Sequence, residues 1–313
     1  MHRFLAFLLV PALACGASPT ADALADEPAA DRQALAGVHD LTYETAHELP
    51  RTIQIDVRLP DDPNGTVVVW SHGGGQGRNR AETVGTRWGT AFNREGVTFV
   101  AVAHTPRTQA EKDDWCEKMA LDDCHQGRPL RWDRAFDAAV VFDWVEANAD
   151  TLGVDMGRLV YGGHSAGSRG ALVVAGATSN DPAIPLGPAD PRPVALILAS
   201  PTPGDDLDLD SLAAIDLPIL GLTGVGDDTS SAVPQDRLDT LDALTSARTF
   251  LAWSEHPNNR HVTFNLEKLP SREVGRDLAL AGTMFVEAVT SDRLEDLVDA
   301  FAARSAQGAV SLG

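Results

Sequence analysis

Short apolar runs of strand type alternate along the chain with segments whose apolar residues recur at helical spacing. Residues 66–70 and 97–104 are continuous apolar runs typical of central parallel strands, whereas 52–59 alternates as a half-buried strand does. Further strands are predicted over 158–162, 194–200, 217–224 and 249–253, and helices over 131–149, 166–177, 275–290 and 293–306. This alternation predicts an α/β fold with a mostly parallel sheet and helices on both faces.

No internal repeat or linker divides residues 37–313, so we expect one domain there. Residues 104–130 and 178–192 fit neither a strand nor a helix. Both follow elements expected near the carboxyl edge of the sheet, where open α/β folds bind ligands. We interpret 104–130 as a small rim or lid insertion; a plain surface excursion is the alternative.

The first 25 residues have the pattern of an export signal, and residues 26–36 that of a flexible tether. The apolar stretch 4–14 is too short to span a membrane. Two cleavage sites compete. Cleavage before Cys15 would allow a lipid on that cysteine to tether the chain to a membrane, whereas cleavage after Ala25 would release it. Either way the sequence predicts an exported protein, periplasmic, secreted or anchored at the cell envelope.

The net charge limits the partners that this chain can bind, and the cysteine content predicts a disulfide. The 43% of hydrophobic residues indicates a globular chain. The formal net charge of −20 disfavours binding to nucleic acid or to an anionic membrane surface. Beyond Cys15, only Cys116 and Cys124 remain, and in an oxidising compartment we expect them to form a local disulfide. Two free thiols or a metal pair are the alternatives, but this spacing with only His125 nearby makes a poor zinc site.

The sequence Gly-His-Ser-Ala-Gly over 163–167 places Ser165 between a predicted strand and a predicted helix. A tight turn is one interpretation. The other is a nucleophile elbow, which needs a serine at a sharp strand-to-helix turn and small neighbours where backbones come close. Gly163, Ala166 and Gly167 meet that requirement, and the start of the following helix favours a developing anion.

A second glycine-rich segment, His-Gly-Gly-Gly over 72–75, follows the strand at 66–70. Acyl transfer passes through an oxyanion that needs two aligned N–H donors. The backbone N–H of Ala166 supplies one, and we assign the other to Gly74, with Gly73 or Gly75 as alternatives. A phosphate cradle is disfavoured because neither a P-loop Lys-Ser/Thr nor a dinucleotide glycine motif is present. We therefore expect no cofactor and no metal.

A serine nucleophile needs a base and an orienting carboxylate, which follow in the chain order Ser, acid, His in α/β-hydrolases. Asp227 and Asp228 both come after the strand 217–224, and Asp227 fits slightly better. Only two histidines lie beyond them, and we prefer His261 over His256 as the base.

Together these segments resemble the serine α/β-hydrolase superfamily, closest to secreted esterases of the dienelactone-hydrolase-like and platelet-activating-factor-acetylhydrolase-like type. The resemblance implies an eight-stranded, mostly parallel sheet and hydrolysis of small-molecule carboxylic esters through an acyl-enzyme. It implies Ser165 as nucleophile, His261 as base and Asp227 or Asp228 as acid, with Gly74 and Ala166 as oxyanion donors. True dienelactone hydrolases have cysteine at the elbow, so dienelactone is not the expected substrate. A peptidase or amidase, an acyltransferase and a non-catalytic binding protein are the alternatives.

Overall fold

A single mixed sheet runs through the part of the chain that the structure describes. The computed structural model describes residues 30–44, 50–74, 80–105, 129–180, 186–202, 207–244, 248–305 and 311–312, and positions 108, 110, 113, 114 and 117. The strands are β1 Gly37–Glu44, β2 Pro50–Arg58, β3 Gly65–Ser71, β4 Thr98–Ala103, β5 Val154–His164, β6 Ala195–Ala199, β7 Ile219–Gly224, β8 Thr249–Ser254 and β9 Ser311–Leu312.

The strand order is β1-β2-β4-β3-β5-β6-β7-β8-β9. Strands β4, β3, β5, β6, β7 and β8 are parallel to their neighbours within that run, whereas β1, β2 and β9 pair antiparallel. The predicted eight-stranded, mostly parallel sheet is confirmed, and the two-residue β9 extends it at the β8 edge.

Helices cover both faces of this sheet. They are α1 Thr86–Arg94, α2 Pro129–Ala147, α3 Ala166–Val174, α4 Pro234–Asp242, α5 Arg272–Thr290 and α6 Leu294–Ser305. Shorter helical turns lie at Ala81–Thr83, Ala149–Leu152, Leu209–Leu212 and His261–Asn265. The core residues of α1, α5 and α6 belong to one buried cluster, and those of α2, α3 and α4 belong to the other. The sheet separates these two hydrophobic layers, as the predicted α/β architecture requires.

Strand β3 shows why the apolar runs form the centre of the sheet. Its side chains alternate between the layers: Val67 and Val69 join the α2–α3 cluster, while Val68 and Trp70 join the α1–α5 cluster. All four are fully buried. A strand with helices on both faces must be apolar along its buried centre, which is the pattern that residues 67–70 show.

Besides β9 and the short helical turns, three elements of the structure are missing from the sequence-based prediction. Strand β1 is not predicted, because its residues alternate between partly buried and exposed at one edge of the sheet. Helices α1 and α4 are not predicted either, since both are short and carry many polar residues.

Several predictions concern residues outside the described part of the chain. These are the export signal, residues 26–29 of the tether, most of the 104–130 insertion and the Cys116–Cys124 disulfide, whereas residues 30–36 of the tether are described. Among the described residues, no helix has the length and apolar character needed to cross a bilayer.

Candidate active site

The parallel strands end together at one edge of the sheet, and the candidate residues lie on the segments that follow them. Strand β3 leads into the glycine loop, β5 into Ser165, β7 into Asp227 and β8 into His261. Because the carboxyl ends of neighbouring parallel strands share an edge, four segments distant in sequence meet there.

Ser165 occupies a strained turn between β5 and α3. Its backbone dihedrals are φ 56° and ψ −113°, which side-chain-bearing residues rarely adopt. Surrounding hydrogen bonds hold the turn: the Ser165 N–H donates to the Ala199 carbonyl over 2.8 Å. The Ser168 hydroxyl lies within hydrogen-bond distance of two carbonyl oxygens, at 2.9 Å from that of Gly163 and 2.7 Å from that of Ala199. The Ser165 side chain remains partly exposed while its backbone is fixed.

The glycines on either side of the turn are required by close backbone approach. A Cβ atom on Gly163 would lie 2.6 Å from the carbonyl carbon of Gly167. A Cβ atom on Gly167 would lie 2.3 Å from the carbonyl oxygen of Ser71, at the end of β3. The sharp strand-to-helix turn predicted at Ser165 is therefore present, and the start of α3 packs directly against the end of β3, which leads into the glycine loop.

Asp227 and His261 form a hydrogen-bonded pair. The His261 Nδ1 lies 2.8 Å from Asp227 Oδ1, and the Thr223 hydroxyl donates to Asp227 Oδ2 over 2.8 Å. Asp227 is fully buried, whereas the neighbouring Asp228 is exposed. Of the two carboxylates that the sequence left open, the structure brings Asp227 to the histidine.

His261 lies beside the elbow. The His164 ring is tilted against the His261 ring with 4.4 Å between centroids, and His164 Nε2 donates to the His261 carbonyl over 2.9 Å. His164 directly precedes Ser165, so these contacts position the His261 backbone next to the turn. His256, the other histidine considered from the sequence, is exposed on the preceding loop.

Arg237, a fully buried residue on α4, is not predicted from the sequence. Its Nε lies 3.1 Å from Asp227 Oδ1 and donates to the Asp227 carbonyl over 2.9 Å. Its Nη1 lies 3.1 Å from each of the carbonyls of Ser200 and Pro201. Burial lowers the pKa of Arg237, and the charge of Asp227 opposes that shift. The arginine therefore fixes the loop after β7 that carries Asp227, called the acid loop below, and supplies a buried countercharge to Asp227.

The glycine loop lies against the elbow. A Cβ atom on Gly73 would be 3.4 Å from Ser165 Cβ, and one on Gly74 would be 3.8 Å from Ala166 Cβ. The backbone of Gly74 and that of Ala166, the two predicted oxyanion donors, are thus neighbours. Gly75 lies outside the described residues.

Behind this loop lies a buried ionic cluster around Asp137 that the sequence did not predict. Arg51 Nε and Nη2 each donate to Asp137 over 2.6 Å, and the Tyr43 hydroxyl donates to it over 2.7 Å. His104 Nδ1 lies 2.7 Å from the same carboxylate. Although burial alone would raise the pKa of Asp137, the Arg51 cation and hydrogen bonds hold it well below its usual value. Burial, followed by the charge of Arg134, lowers the pKa of His104 to about 4.

We compared the chain with family models, curated sequences and solved structures, and only the solved structures gave matches. No family model matches the chain, and no curated protein matches it in sequence. Among solved structures, Thermogutta terrifontis esterase 2 phosphoramylated by tabun is similar with a TM-score of 0.55 at 18% identity, over 81% of this chain and 96% of that chain. The same esterase phosphorylated by paraoxon gives a TM-score of 0.53 at 18% identity, over 81% and 95%. A dienelactone hydrolase from Anabaena variabilis gives 0.49 at 18% identity, over 79% and 96%. The chain has the fold of the α/β-hydrolase superfamily.

Replacing Arg237 with methionine should destabilise the protein strongly. The change leaves Asp227 buried without its countercharge. It also removes the donors to the carbonyls of Asp227, Ser200 and Pro201. Breaking a buried ion pair by removing one partner costs about 3–5 kcal/mol. The free energy of unfolding, measured by urea denaturation, tests this. Arg276→Met is the matched control, because the Arg276 side chain is exposed and surface ion pairs such as its contact with Asp277 contribute about 0–1 kcal/mol. Equal losses in the two variants would contradict the assigned role.

The pKa of His104 predicts how stability depends on pH. Since the folded pKa of about 4 lies below the unfolded value of about 6.5, the unfolded chain binds this proton first as pH falls. The free energy of unfolding should therefore decrease from about pH 6.5 to 4, by at most about 3 kcal/mol from this residue. Below about pH 4, protonation of Asp137 in the unfolded chain adds a further loss.

The measurement is urea unfolding at closely spaced pH values for wild type and His104→Gln. The variant should show a shallower decline between pH 6.5 and 4, because it lacks the group that is kept neutral by burial. His256→Gln, at an exposed position, should follow the wild-type curve. Parallel curves for wild type and His104→Gln would refute the prediction.

Proposed function

We propose that this chain is a serine hydrolase that cleaves carboxylic esters of small molecules. One observation carries the proposal: a partly exposed serine stands on a strained strand-to-helix turn beside a histidine whose Nδ1 is bound by a buried aspartate. A serine hydroxyl becomes a nucleophile when a histidine base removes its proton and a carboxylate fixes the histidine tautomer. The α/β-hydrolase fold supports the proposal further, as does the similarity to structures of an esterase.

In the proposed reaction, Ser165 Oγ attacks the ester carbonyl and His261 Nε2 accepts the serine proton. Asp227 receives a hydrogen bond from the His261 Nδ1–H, which keeps Nε2 available as the acceptor and stabilises the imidazolium that forms. The negative charge that develops on the carbonyl oxygen is bound by the N–H groups of Ala166 and Gly74.

Collapse of this tetrahedral intermediate completes acylation. The alcohol leaves with the proton from His261, and the acyl group stays on Ser165 as an ester. Water then attacks that ester while His261 accepts a proton from the water. His261 returns the proton to Ser165 Oγ as the acid product departs, which restores Ser165. The Arg237 guanidinium, 3.1 Å from Asp227 Oδ1, stays beside this carboxylate as a countercharge throughout the cycle.

A fluorophosphonate probe tests the nucleophile without knowledge of the substrate. Wild-type protein should be labelled once per chain, whereas Ser165→Ala and heat-denatured wild type should not react, because an activated serine requires the folded site. Phosphorylation of Thermogutta terrifontis esterase 2 by paraoxon is a related chemistry in a protein of similar fold. Ser231→Ala, which alters an exposed serine, should label as wild type does. A folded wild type that resists labelling would contradict the proposal.

Paired substitutions test the base and the acid with a short-chain ester as substrate. Asp227→Asn should lower kcat by ~10⁴-fold, as loss of the tautomer-fixing carboxylate does in serine hydrolases, whereas Asp228→Asn should change it little. Likewise His261→Ala should abolish turnover and His256→Ala should retain it. Steady-state kinetics on folded variants give the answer, and a collapse of kcat in Asp228→Asn or His256→Ala would overturn the assignment.

A further inference from the structure

Arg134 is a buried arginine on α2 that lies behind the glycine loop, with only 6% of its surface exposed. Its Nη1 donates to the His72 carbonyl over 2.5 Å, and its Nη2 donates to the Gly73 carbonyl over 3.2 Å. Within the described part of the chain, no carboxylate forms an ion pair with it. Burying such a cation is costly, so its position calls for a physical reason.

The two carbonyls that Arg134 holds determine where the next two N–H groups point. The described peptide bonds include no cis bond, and in a trans peptide the C=O of one residue points opposite to the N–H of the next. Holding the carbonyls of His72 and Gly73 toward α2 therefore directs the N–H groups of Gly73 and Gly74 away from it. Ser165 and Ala166 lie next to this loop, because a Cβ atom on Gly73 would be 3.4 Å from Ser165 Cβ and one on Gly74 would be 3.8 Å from Ala166 Cβ.

His72 holds the same peptide from its own side chain. The His104 backbone N–H donates to His72 Nε2 over 3.1 Å, so Nε2 is the unprotonated nitrogen. His72 Nδ1 then carries the proton and donates it to the Gly73 carbonyl over 2.5 Å. The Gly73 carbonyl thus accepts from two donors, the His72 ring and the Arg134 guanidinium.

The backbone on which this arrangement rests is held by a buried Ser-His-Asp chain that has no access to substrate. His104 Nδ1 contacts Asp137, His104 Nε2 lies 2.9 Å from Ser71 Oγ, and Ser71 Oγ lies 2.7 Å from the Tyr161 hydroxyl. Ser71, Tyr161 and Asp137 are fully buried and His104 nearly so. Because Ser71 directly precedes His72, this buried network anchors the start of the loop.

We infer that Arg134 is a positioning residue that aims and polarises the oxyanion donors through the Gly73–Gly74 peptide. A cationic donor on a carbonyl draws electron density along that peptide, so its N–H becomes a stronger donor at the other end. Arg134 never touches substrate, yet its charge reaches the developing oxyanion through the peptide. This inference rests on the proposed esterase function and deepens it.

Arg134→Gln and Arg134→Lys test the inference, since glutamine keeps one donor without the charge and lysine keeps the charge without the two-pronged geometry. Removing an oxyanion donor outright costs about 10²–10³ in kcat. Both variants should weaken the Gly74 N–H donor without removing it, so kcat should fall by about 10- to 100-fold with KM unchanged. Arg192→Gln is the matched control, because that arginine pairs with Asp143 and Glu146 on the outer face of α2.

A second readout separates positioning from general damage to the fold. A boronic acid forms a tetrahedral adduct whose negatively charged oxygen accepts hydrogen bonds from the oxyanion donors. The carboxylic acid product is planar and forms no such adduct, so its affinity depends less on these donors. Across the variants, boronate affinity should fall in proportion to kcat/KM, while product affinity stays within about twofold of wild type. Thermal unfolding establishes that each compared variant is folded, and Arg134→Lys carries the test alone if Arg134→Gln does not fold.

The outcomes distinguish this inference from the proposed function. If wild type shows Ser165-dependent labelling but a folded Arg134 variant keeps kcat within about twofold, the inference is overturned and the esterase proposal stands. Equal losses of boronate and product affinity would overturn it as well, because they would indicate general distortion of the site. If wild type lacks Ser165-dependent labelling, the proposed function itself fails.

Discussion

The close approach of α3 to the end of β3 is the constraint on which the candidate site depends. Gly167 has no room for a Cβ because the Ser71 carbonyl would lie 2.3 Å away. That proximity places the start of α3 against the glycine loop, so the backbones of Ala166 and Gly74 become neighbours. It also forces the sharp turn at Ser165, whose positive φ persists because hydrogen bonds from Ser165 and Ser168 surround it.

Two buried arginines hold the loops on opposite sides of this turn. Arg237 fixes the acid loop and Arg134 fixes the glycine loop, and each donates to two or more backbone carbonyls. A guanidinium suits this task because its donors are fixed in one plane and spread over several acceptors. Backbone carbonyl groups on these loops thereby obtain hydrogen-bond donors, and the direction of each carbonyl is fixed.

The architecture and the elbow could be predicted from the sequence, because both depend on local patterns. Continuous apolar runs identify strands buried on two faces, and small residues around Ser165 identify the turn. Asp227 and Asp228 could not be separated, since both follow β7 and only the path of the turn buries one of them. Strand β1 escaped prediction because an edge strand buries half of its side chains and lacks a strong apolar signal. The roles of the two arginines could not be predicted for a different reason. Arg134 binds the carbonyl of His72, 62 positions away, and Arg237 binds that of Ser200, 37 positions away. Every residue has a backbone carbonyl, so the sequence does not show which one accepts.

The two arginines differ in their charge environment, and that difference matches the proposed reaction. Arg237 contacts Asp227, so the charges next to the base are balanced before His261 becomes protonated. Arg134 forms no ion pair with a carboxylate among the described residues, and its charge lies behind the glycine loop that carries a proposed oxyanion donor. In the transition state of acyl transfer, negative charge grows on the carbonyl oxygen and positive charge on the histidine. In the proposed reaction, the charge of Arg134 behind the oxyanion donors therefore favours the negative charge of the transition state over the neutral carbonyl of the bound ester.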